Sequence, residues 1–213
     1  QTLVGTEARD ILTGGAGDDL LQGLGGDDYL KGLGGADRME GGAGNDYYVV
    51  DSLADTVVEL AGGGMDTIET QLSYVLPDQV EYLTLTGSAA VNGTGNALNN
   101  VLRGNGAANT LSGLNGDDRL MGFAGDDRLI GGAGADLLEG GLGRDVFVFG
   151  LGSGLDRVAD FKSGEDRIEV SGYTTYTLVA QGSDTLVVFS DGDRVLLTGV
   201  TADQVKAEDF LFV

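Results

Sequence analysis

A nine-residue repeat constrains the fold of this chain more than any other feature. Glycine begins each repeat, from Gly5 to Gly41 in one block and from Gly95 to Gly140 in a second, and the register is unbroken within each block. Only positions 7 to 9 separate one glycine-rich hexad from the next, which is too short for a helix but suits a short strand. Each nonapeptide is therefore predicted to form one turn followed by one strand.

Two positions of the repeat carry the side-chain pattern. Position 8 is always large and apolar, from Leu12 to Phe147, so we expect it to point into the core. Position 6 is always an acid or an amide, and its members are Asp10, Asp19, Asp28, Asp37, Asp46, Asn100, Asn109, Asp118, Asp127, Asp136 and Asp145.

The turns offer oxygen ligands. Glycines at positions 1, 2 and 4 let the backbone curl so that several carbonyl oxygens face one point. Adding the position 6 carboxylate gives a hard-oxygen site, and two stacked turns bring the roughly six to eight oxygens that calcium prefers.

The pairing of these turns follows from the period. Successive turns must fall on opposite sides of a flattened coil, so the turns that stack are two repeats apart. The predicted carboxylate pairs are Asp10 with Asp28, Asp19 with Asp37, Asp28 with Asp46, Asp118 with Asp136, and Asp127 with Asp145. Asn100 with Asp118 and Asn109 with Asp127 are expected to be weaker sites because an amide lacks the charge.

Composition excludes several classes of function. The 213 residues contain no His and no Cys, which rules out a catalytic imidazole, a thiolate nucleophile and an ordinary zinc site. Asp and Glu number 34 against 12 Lys and Arg, a formal charge of -22. Such a charge repels phosphate backbones and anionic lipid, so we expect neither nucleic-acid binding nor membrane insertion.

Three repeats carry a family pattern in full: GGAGDDLLQ (14–22), GGAGNDYYV (41–49) and GGAGADLLE (131–139). They resemble the nonapeptide GGxGxDxUx of the RTX family (repeats-in-toxin, the haemolysin-type calcium-binding repeat). The resemblance implies an all-β fold, a right-handed parallel β-roll (a β-solenoid) with two nonapeptides per coil. It also implies roughly six to nine Ca²⁺ ions between neighbouring turns.

The resemblance implies the ligands as well. The main carboxylates would be Asp19, Asp28, Asp37, Asp46, Asp118, Asp127, Asp136 and Asp145. Further candidates, where the pattern is incomplete, are Asp10, Asn100, Asn109, Asp156, Asp160 and Asp166. Backbone carbonyls at positions 1 and 3 would complete the sites, at Gly14, Ala16, Gly23, Gly25, Gly32, Gly34, Gly113, Asn115, Gly122, Ala124, Gly131 and Ala133.

Four parts of the chain are predicted. Residues 1–49 and 95–149 are the two repeat blocks, and 50–94 is a degenerate solenoid insert in which Thr67 to Leu76 reads as one strand. One continuous roll, bulged in the middle, is favoured over two separate rolls. Residues 150–213 are predicted to hold closing coils, an antiparallel β cap, and the tail AEDFLFV, which resembles a C-terminal type I secretion signal.

The favoured hypothesis is a non-catalytic calcium-binding module that folds after type I secretion and carries an attached N-terminal passenger. Its partners would be an ABC exporter and that passenger, and its location extracellular, without an N-terminal signal peptide. The alternative is a polysaccharide- or surface-binding module on a secreted enzyme such as an alginate epimerase, lipase or protease. In that case Arg38, Arg119 and Arg128 could hold an acidic polysaccharide. The position 5 acids Asp18, Asp27, Asp117 and Asp126 are expected to be solvated charge.

Overall fold

Short strands make up almost the whole chain. The computed structural model describes residues 1–213. Its strands are β1 (Thr2–Val4), β2 (Ile11–Thr13), β3 (Leu20–Gly25), β4 (Tyr29–Lys31), β5 (Arg38–Ala43), β6 (Tyr47–Val50), β7 (Thr56–Val58), β8 (Thr67–Thr70), β9 (Tyr74–Val75), β10 (Tyr82–Leu85), β11 (Gly93–Thr94), β12 (Val101–Arg103), β13 (Thr110–Asn115), β14 (Arg119–Met121), β15 (Arg128–Ala133), β16 (Leu137–Glu139), β17 (Val146–Gly150), β18 (Leu155–Val158), β19 (Arg167–Ser171), β20 (Tyr176–Gln181), β21 (Asp184–Phe189), β22 (Arg194–Leu197) and β23 (Phe210–Phe212). One 3-10 helix, Ala207–Asp209, precedes β23.

Within the coils, strands pair with the strand after next rather than with their neighbour in sequence. Leu21 lies opposite Met39, and Leu30 lies opposite Tyr48, in parallel ladders. Odd-numbered and even-numbered strands therefore form opposite faces of a flattened coil with two nonapeptides per turn. The predicted parallel β-roll is confirmed.

The two faces differ in continuity. The even-numbered face is one twelve-stranded sheet, in the order β2-β4-β6-β8-β10-β12-β14-β16-β18-β22-β21-β20. The odd-numbered face is divided into a four-stranded sheet, β1-β3-β5-β7, and a seven-stranded sheet, β23-β19-β17-β15-β13-β11-β9. The roll thus continues through residues 50–94 on one face and is interrupted between β7 and β9 on the other.

Position 8 builds the core, as the period predicted. Leu21 and Leu129, like eight others at this position, have no exposed surface, while Leu12 in the first repeat is half-buried. The fully buried side chains belong to one cluster of 31 buried apolar residues that runs through the coil, and Leu12 packs against it. Each coil contributes one inward side chain from each face, so burial accumulates turn by turn.

The insert changes the spacing of the ladder. Tyr47 pairs with Thr67, a step of 20 residues, and Thr67 pairs with Tyr82, a step of 15. The prediction of a single strand from Thr67 to Leu76 was wrong: β8 ends at Thr70 and β9 begins at Tyr74. The chain bends there because it must cross from the even-numbered face to the odd-numbered face.

The C-terminal part adds strands to both faces. β22 pairs in parallel with β18, and β21 and β20 follow it as antiparallel strands, which is the predicted cap. β23 pairs with β19 on the other face, and the Phe210 ring stacks on Tyr176 at 3.9 Å between centroids. The last coil strand of each face, β18 and β19, is therefore covered. The chain has no helix of the length and hydropathy needed to cross a bilayer.

Candidate metal centre

Two kinds of turn precede the position 6 residues. In the open turns, positions 2 and 4 have positive φ, as at Gly42 (103°) and Gly44 (134°). Leucine or phenylalanine holds position 2 in four of them, where an L residue is strained by roughly 1–2 kcal/mol. The open turns begin at Gly23, Gly32, Gly41, Gly113, Gly122, Gly131 and Gly140. In the capped turns positions 2 and 4 lack positive φ, and these begin at Gly5, Gly14, Gly95 and Gly104.

The first carboxylate oxygen of position 6 joins stacked turns. The backbone N–H of one position 6 residue donates to Oδ1 of the residue eighteen positions later, as from Asp118 to Asp136 (2.8 Å). The same bond joins every predicted pair: Asp10 to Asp28, Asp19 to Asp37, Asp28 to Asp46, Asn100 to Asp118, Asn109 to Asp127, and Asp127 to Asp145. The structure therefore brings together all the pairs that the period predicted.

The second oxygen distinguishes the open turns. In six of the seven, Oδ2 is buried and accepts no hydrogen bond, at Asp28, Asp37, Asp46, Asp118, Asp127 and Asp136. In the capped turns the corresponding oxygen accepts the N–H of position 2, as when Gly15 donates to Asp19 (2.5 Å) and Thr6 to Asp10 (2.6 Å). Asp19 therefore belongs with Asp10 rather than with the other main carboxylates.

Position 1 carbonyls face the same points as these oxygens. A Cβ built on Gly113 would lie 2.5 Å from the Gly131 carbonyl oxygen and would also clash with Asp118 Oδ2. The carbonyls of Gly41 and Gly140 have the same relation to the open turns that begin at Gly23 and Gly122. Those of Gly23, Gly32, Gly113 and Gly122 face the capped turns that begin eighteen residues earlier. A side chain at position 1 would fill this oxygen-lined space. At position 3, the Ala133 carbonyl accepts the Gly116 N–H (3.1 Å), so it also takes part in the backbone hydrogen bonds between stacked turns.

Burial makes the charge of these carboxylates costly. Removal from water raises the pKa of Asp118 to about 7 and that of Asp127 to about 6, and the neighbouring carboxylates Asp136 and Asp145 add to the effect. The pKa of Asp145 is likewise raised to about 6, mainly by burial. A buried carboxylate whose second oxygen has no donor needs a proton or a cation there. Clustered carboxylate and carbonyl oxygens, with no nitrogen or sulfur, fit calcium.

Known proteins share this arrangement. The RTX calcium-binding nonapeptide repeat family matches residues 1–30, 13–48, 22–57, 94–122 and 121–155, which together are more than half of the chain. The chain belongs to this RTX family. Its repeat blocks are thus RTX blocks, and the matched segments leave most of the insert and the C-terminal cap outside.

Two curated relatives and one solved structure extend the RTX comparison. The endo-1,3-1,4-beta-glycanase ExsH of Rhizobium meliloti is 38% identical over 173 residues, 78% of this chain and 33% of that protein. The glycanase EglC of the same organism is 37% identical over 174 residues, 79% of this chain and 33% of that protein. The chain spans about a third of these relatives. The crystal structure of the lipase LipA from Serratia marcescens matches 100% of this chain and 40% of the lipase with a TM-score of 0.51 at 22% identity, which shows a shared fold.

Asparagine pairs join the insert to the second RTX block. Asn109 Nδ2 donates to the Val91 carbonyl (2.6 Å) and to Asn105 Oδ1 (3.1 Å), while its Oδ1 accepts the Asn105 N–H. Asn96 and Asn100 repeat this arrangement one turn earlier. The insert presents carbonyl oxygens to these side chains, so an amide donor is satisfied there without a cation. Asn100 and Asn109, predicted as weaker ligands, thus lie in neutral hydrogen-bonded networks.

The closing coils continue the row with altered spacing. Asp156 Oδ1 accepts the Asp136 N–H (3.1 Å), and its Oδ2 is buried without a donor. Asp166 accepts the N–H groups of Asp145 (3.0 Å) and Lys162 (2.8 Å). Asp160 lies outside the row.

The two oxygens of Asp160 accept the N–H groups of Gly140 (3.0 Å) and Gly141 (2.7 Å). Asp160 therefore caps the last full RTX turn with both oxygens engaged. The sequence predicted Asp160 only as a further candidate ligand and did not reveal this role.

Sequence reasoning missed a second ladder at position 5. Asp18, Asp117 and Asp126, expected to be solvated charge, each accept the N–H of the residue eighteen positions later at 2.9 Å. This ladder runs opposite in direction to that of position 6. The signal was present in the sequence as an aspartate at position 5 in two consecutive repeats of each block.

The arginines of position 7 are engaged by acids of this chain. The two terminal guanidinium nitrogens of Arg128 each donate a hydrogen bond to one carboxylate oxygen of Glu169 (2.7 Å). Arg38 forms an ion pair with Glu40. Arg119 lies 3.6 Å from Glu139.

Proposed function

We propose that this chain is the calcium-folded module of a larger secreted protein. The observation that carries the proposal is the row of buried Oδ2 atoms in the open turns, which accept no hydrogen bond from the chain. Calcium would satisfy them and remove the cost of burying their charge. The ions would be held by Asp28, Asp37, Asp46, Asp118, Asp127, Asp136 and Asp145 together with carbonyl oxygens of position 1.

Folding and calcium binding would be one process. The chain has a formal charge of -22 and 39 glycines. Charge repulsion and the loss of backbone entropy therefore oppose folding of the metal-free chain. Roughly six to nine divalent ions would cancel most of that charge, and their binding free energy becomes folding free energy. Extracellular calcium modules bind at about 0.1–1 mM, so the chain would stay unfolded in a low-calcium cytoplasm.

This behaviour suits export through a type I ABC exporter to the extracellular space. An unfolded chain could pass the exporter, and folding outside would hinder its return. The matched segment makes up 33% of each relative, which supports an attached passenger domain. The chain itself would be non-catalytic, because its acids lie in repeating rows rather than in one cleft with distinct partners.

Far-UV circular dichroism during a calcium titration tests the proposal. We expect an EDTA-treated sample to be largely disordered and to become β-rich cooperatively at sub-millimolar to millimolar calcium, with no such change in magnesium. A spectrum that is β-rich and indifferent to calcium would contradict calcium-driven folding.

A second candidate function is polysaccharide binding, and one surface supports it. The rings of Tyr29 and Tyr47 stack on the outer side of the even-numbered face, 5.6 Å apart and inclined by 10°, beside Arg9, Asn45 and Glu69. Aromatic rings with nearby polar groups suit sugar rings. The three position 7 arginines support it less, since each already faces an acid of this chain.

Affinity electrophoresis in gels containing alginate or a 1,3-1,4-beta-glycan tests this second candidate. We expect polysaccharide to retard the calcium-loaded chain and Tyr29→Ala to abolish the retardation. Tyr82→Ala, which changes a tyrosine elsewhere on the same outer face, is the matched control. Equal retardation of all three proteins would exclude the tyrosine pair as the binding surface.

A further inference from the structure

The turn that follows β7 holds a side chain that the RTX pattern does not provide. Glu59 follows β7, in which Val58 pairs with Glu40, so the register places Glu59 beside Gly41. In the regular turns a glycine carbonyl stands at that place. Here the half-buried Glu59 carboxylate joins two position 6 carboxylates, Asp46 and Asp66.

These three carboxylates form a close cluster. One oxygen from each of Asp46, Glu59 and Asp66 lies within 4.8 Å of the other two. Asp46 is 1% exposed and Asp66 is 0% exposed, and the Oδ2 atom of each accepts no hydrogen bond. The cluster is therefore more than a group of surface acids, because two buried oxygens in it have no donor.

A tyrosine hydroxyl completes the cluster. Tyr48 occupies position 8, where the other repeats have leucine, methionine or phenylalanine, and its hydroxyl donates to Glu59 Oε1. The other Glu59 oxygen accepts the Leu60 N–H (3.1 Å). The Asp46 N–H donates to Asp66 Oδ1 (2.8 Å), which joins the two aspartates across the irregular 20-residue step.

We infer that Asp46, Glu59 and Asp66 bind a calcium ion more tightly than the regular turns do. The site has three carboxylates, whereas a stacked pair of regular turns offers two, and calcium affinity rises with the charge of the ligands. The ion would fix residues 59–66 against the first block. This inference extends the proposed calcium-dependent folding and adds a site outside the nonapeptide pattern.

The site predicts an order of binding that equilibrium dialysis with calcium can measure on the full chain. One ion should bind at a lower calcium concentration than the rest. Glu59→Gln should lower the affinity for that ion by about tenfold or more. Glu69→Gln is the matched control, because Glu69 accepts the hydroxyl of the adjacent Tyr47 but lies outside the cluster. An unchanged first ion in Glu59→Gln would overturn the inference. A chain that binds no calcium at all would instead contradict the proposed function.

A measurement on the unaltered chain removes any dependence on how the variant folds. Crystals grown with calcium and one equivalent of terbium should give their strongest anomalous peak among the carboxylates of Asp46, Glu59 and Asp66. Terbium emission excited through tyrosine should appear with the first equivalent, since the Tyr48 hydroxyl is at the site. A strongest peak in a regular turn would overturn the inference.

Discussion

Asn109 and Asp127 occupy the same position of stacked turns and use their side chains in opposite ways. The Asn109 amide donates to the Val91 carbonyl, whereas Asp127 Oδ1 accepts the Asn109 N–H. Asp127 Oδ2 then stands beside the Gly140 carbonyl without a donor. An exchange of one atom, nitrogen for oxygen, thus separates a neutral junction from a candidate ion site.

The first prediction uses this pair. In Asp127→Asn, an amide can keep the bond from Asn109 and donate to the Gly140 carbonyl, so we expect the fold to persist with one ion fewer. Loss of a site filled at 100 times its dissociation constant lowers the free energy of unfolding by about 2.7 kcal/mol. Calcium stoichiometry and urea unfolding in excess calcium measure both effects.

The converse change at residue 109 is the control. Asn109→Asp places a carboxylate against two acceptors, the Val91 carbonyl and Asn105 Oδ1. It should lower the free energy of unfolding by about 1–3 kcal/mol without adding a bound ion. An additional bound ion in Asn109→Asp would show that the amide network is not what excludes calcium there.

The second prediction concerns the glycine of position 1. A Cβ on Gly122 would lie 2.6 Å from the Gly140 carbonyl oxygen and against Asp127 Oδ2, so Gly122→Ala should destabilise the calcium-loaded chain by about 1–3 kcal/mol. Thermal unfolding in excess calcium measures this loss of stability. Gly106→Ala is the control, since nothing lies within 4 Å of its Cβ and its φ is not positive. Equal changes in both variants would mean that the contacts of the position 1 Cβ do not matter, since Gly→Ala without such contacts should stabilise slightly by restricting the unfolded chain.

At the scale of the element, the last strand closes the odd-numbered face. β23 pairs with β19, and Phe210, which is buried, stacks on Tyr176 of the neighbouring cap. This short strand therefore joins the edge of one sheet to the hairpin that extends the other. It also covers an edge strand that would otherwise be free to pair with another chain.

The third prediction follows from that position. Phe210→Ala removes the aromatic contact and leaves a cavity. It should therefore lower the free energy of unfolding by about 3–5 kcal/mol and raise the calcium concentration at the folding midpoint. A calcium titration followed by circular dichroism measures the midpoint. Phe212→Ala is the milder control, because that ring is 42% exposed. Equal midpoints for wild type and Phe210→Ala would show that the roll folds without its cover.

The turns, the strands and the 18-residue pairing distance could be predicted from the sequence, because the nine-residue repeat determines all three. Position 8 had to be inside and position 6 had to stack on its copy eighteen residues later. The Glu59 side chain and the role of Asp160 could not, since the insert and the closing coils change the step to 20, 15 or 21 residues. The separation of β22 and β23 onto different faces depends on tertiary pairing that no local pattern carries.

At the scale of the whole molecule, the buried carboxylates make folding dependent on pH. Burial raises the pKa of Asp66, Asp118 and Asp156 to about 7 and that of Asp127 and Asp145 to about 6. Their pKa values in the unfolded chain are near 3.9. In the metal-free chain, protonation therefore favours folding below about pH 4, and this contribution is lost as the pH rises through 6 to 7.

The fourth prediction is that acid partly replaces calcium. In EDTA, the chain should hold more β structure at pH 5 than at pH 8, as circular dichroism would report. In calcium the dependence should reverse, because protons compete with the ion, so the apparent affinity should fall between pH 8 and pH 5. Metal-free β structure that is constant or decreases toward pH 5 would contradict the raised pKa values.

The interruption between β7 and β9 has a mechanical consequence. One wall of the roll is an unbroken ladder of twelve strands, while the opposite wall is cut at a single level. A beam cut on one side bends about its intact side, and its stiffness is least at the cut. The module should therefore flex at residues 71–73, outside the segment 59–66 that the inferred ion would fix, and remain rigid in each repeat block, so that a load applied along its axis is transmitted by the even-numbered wall.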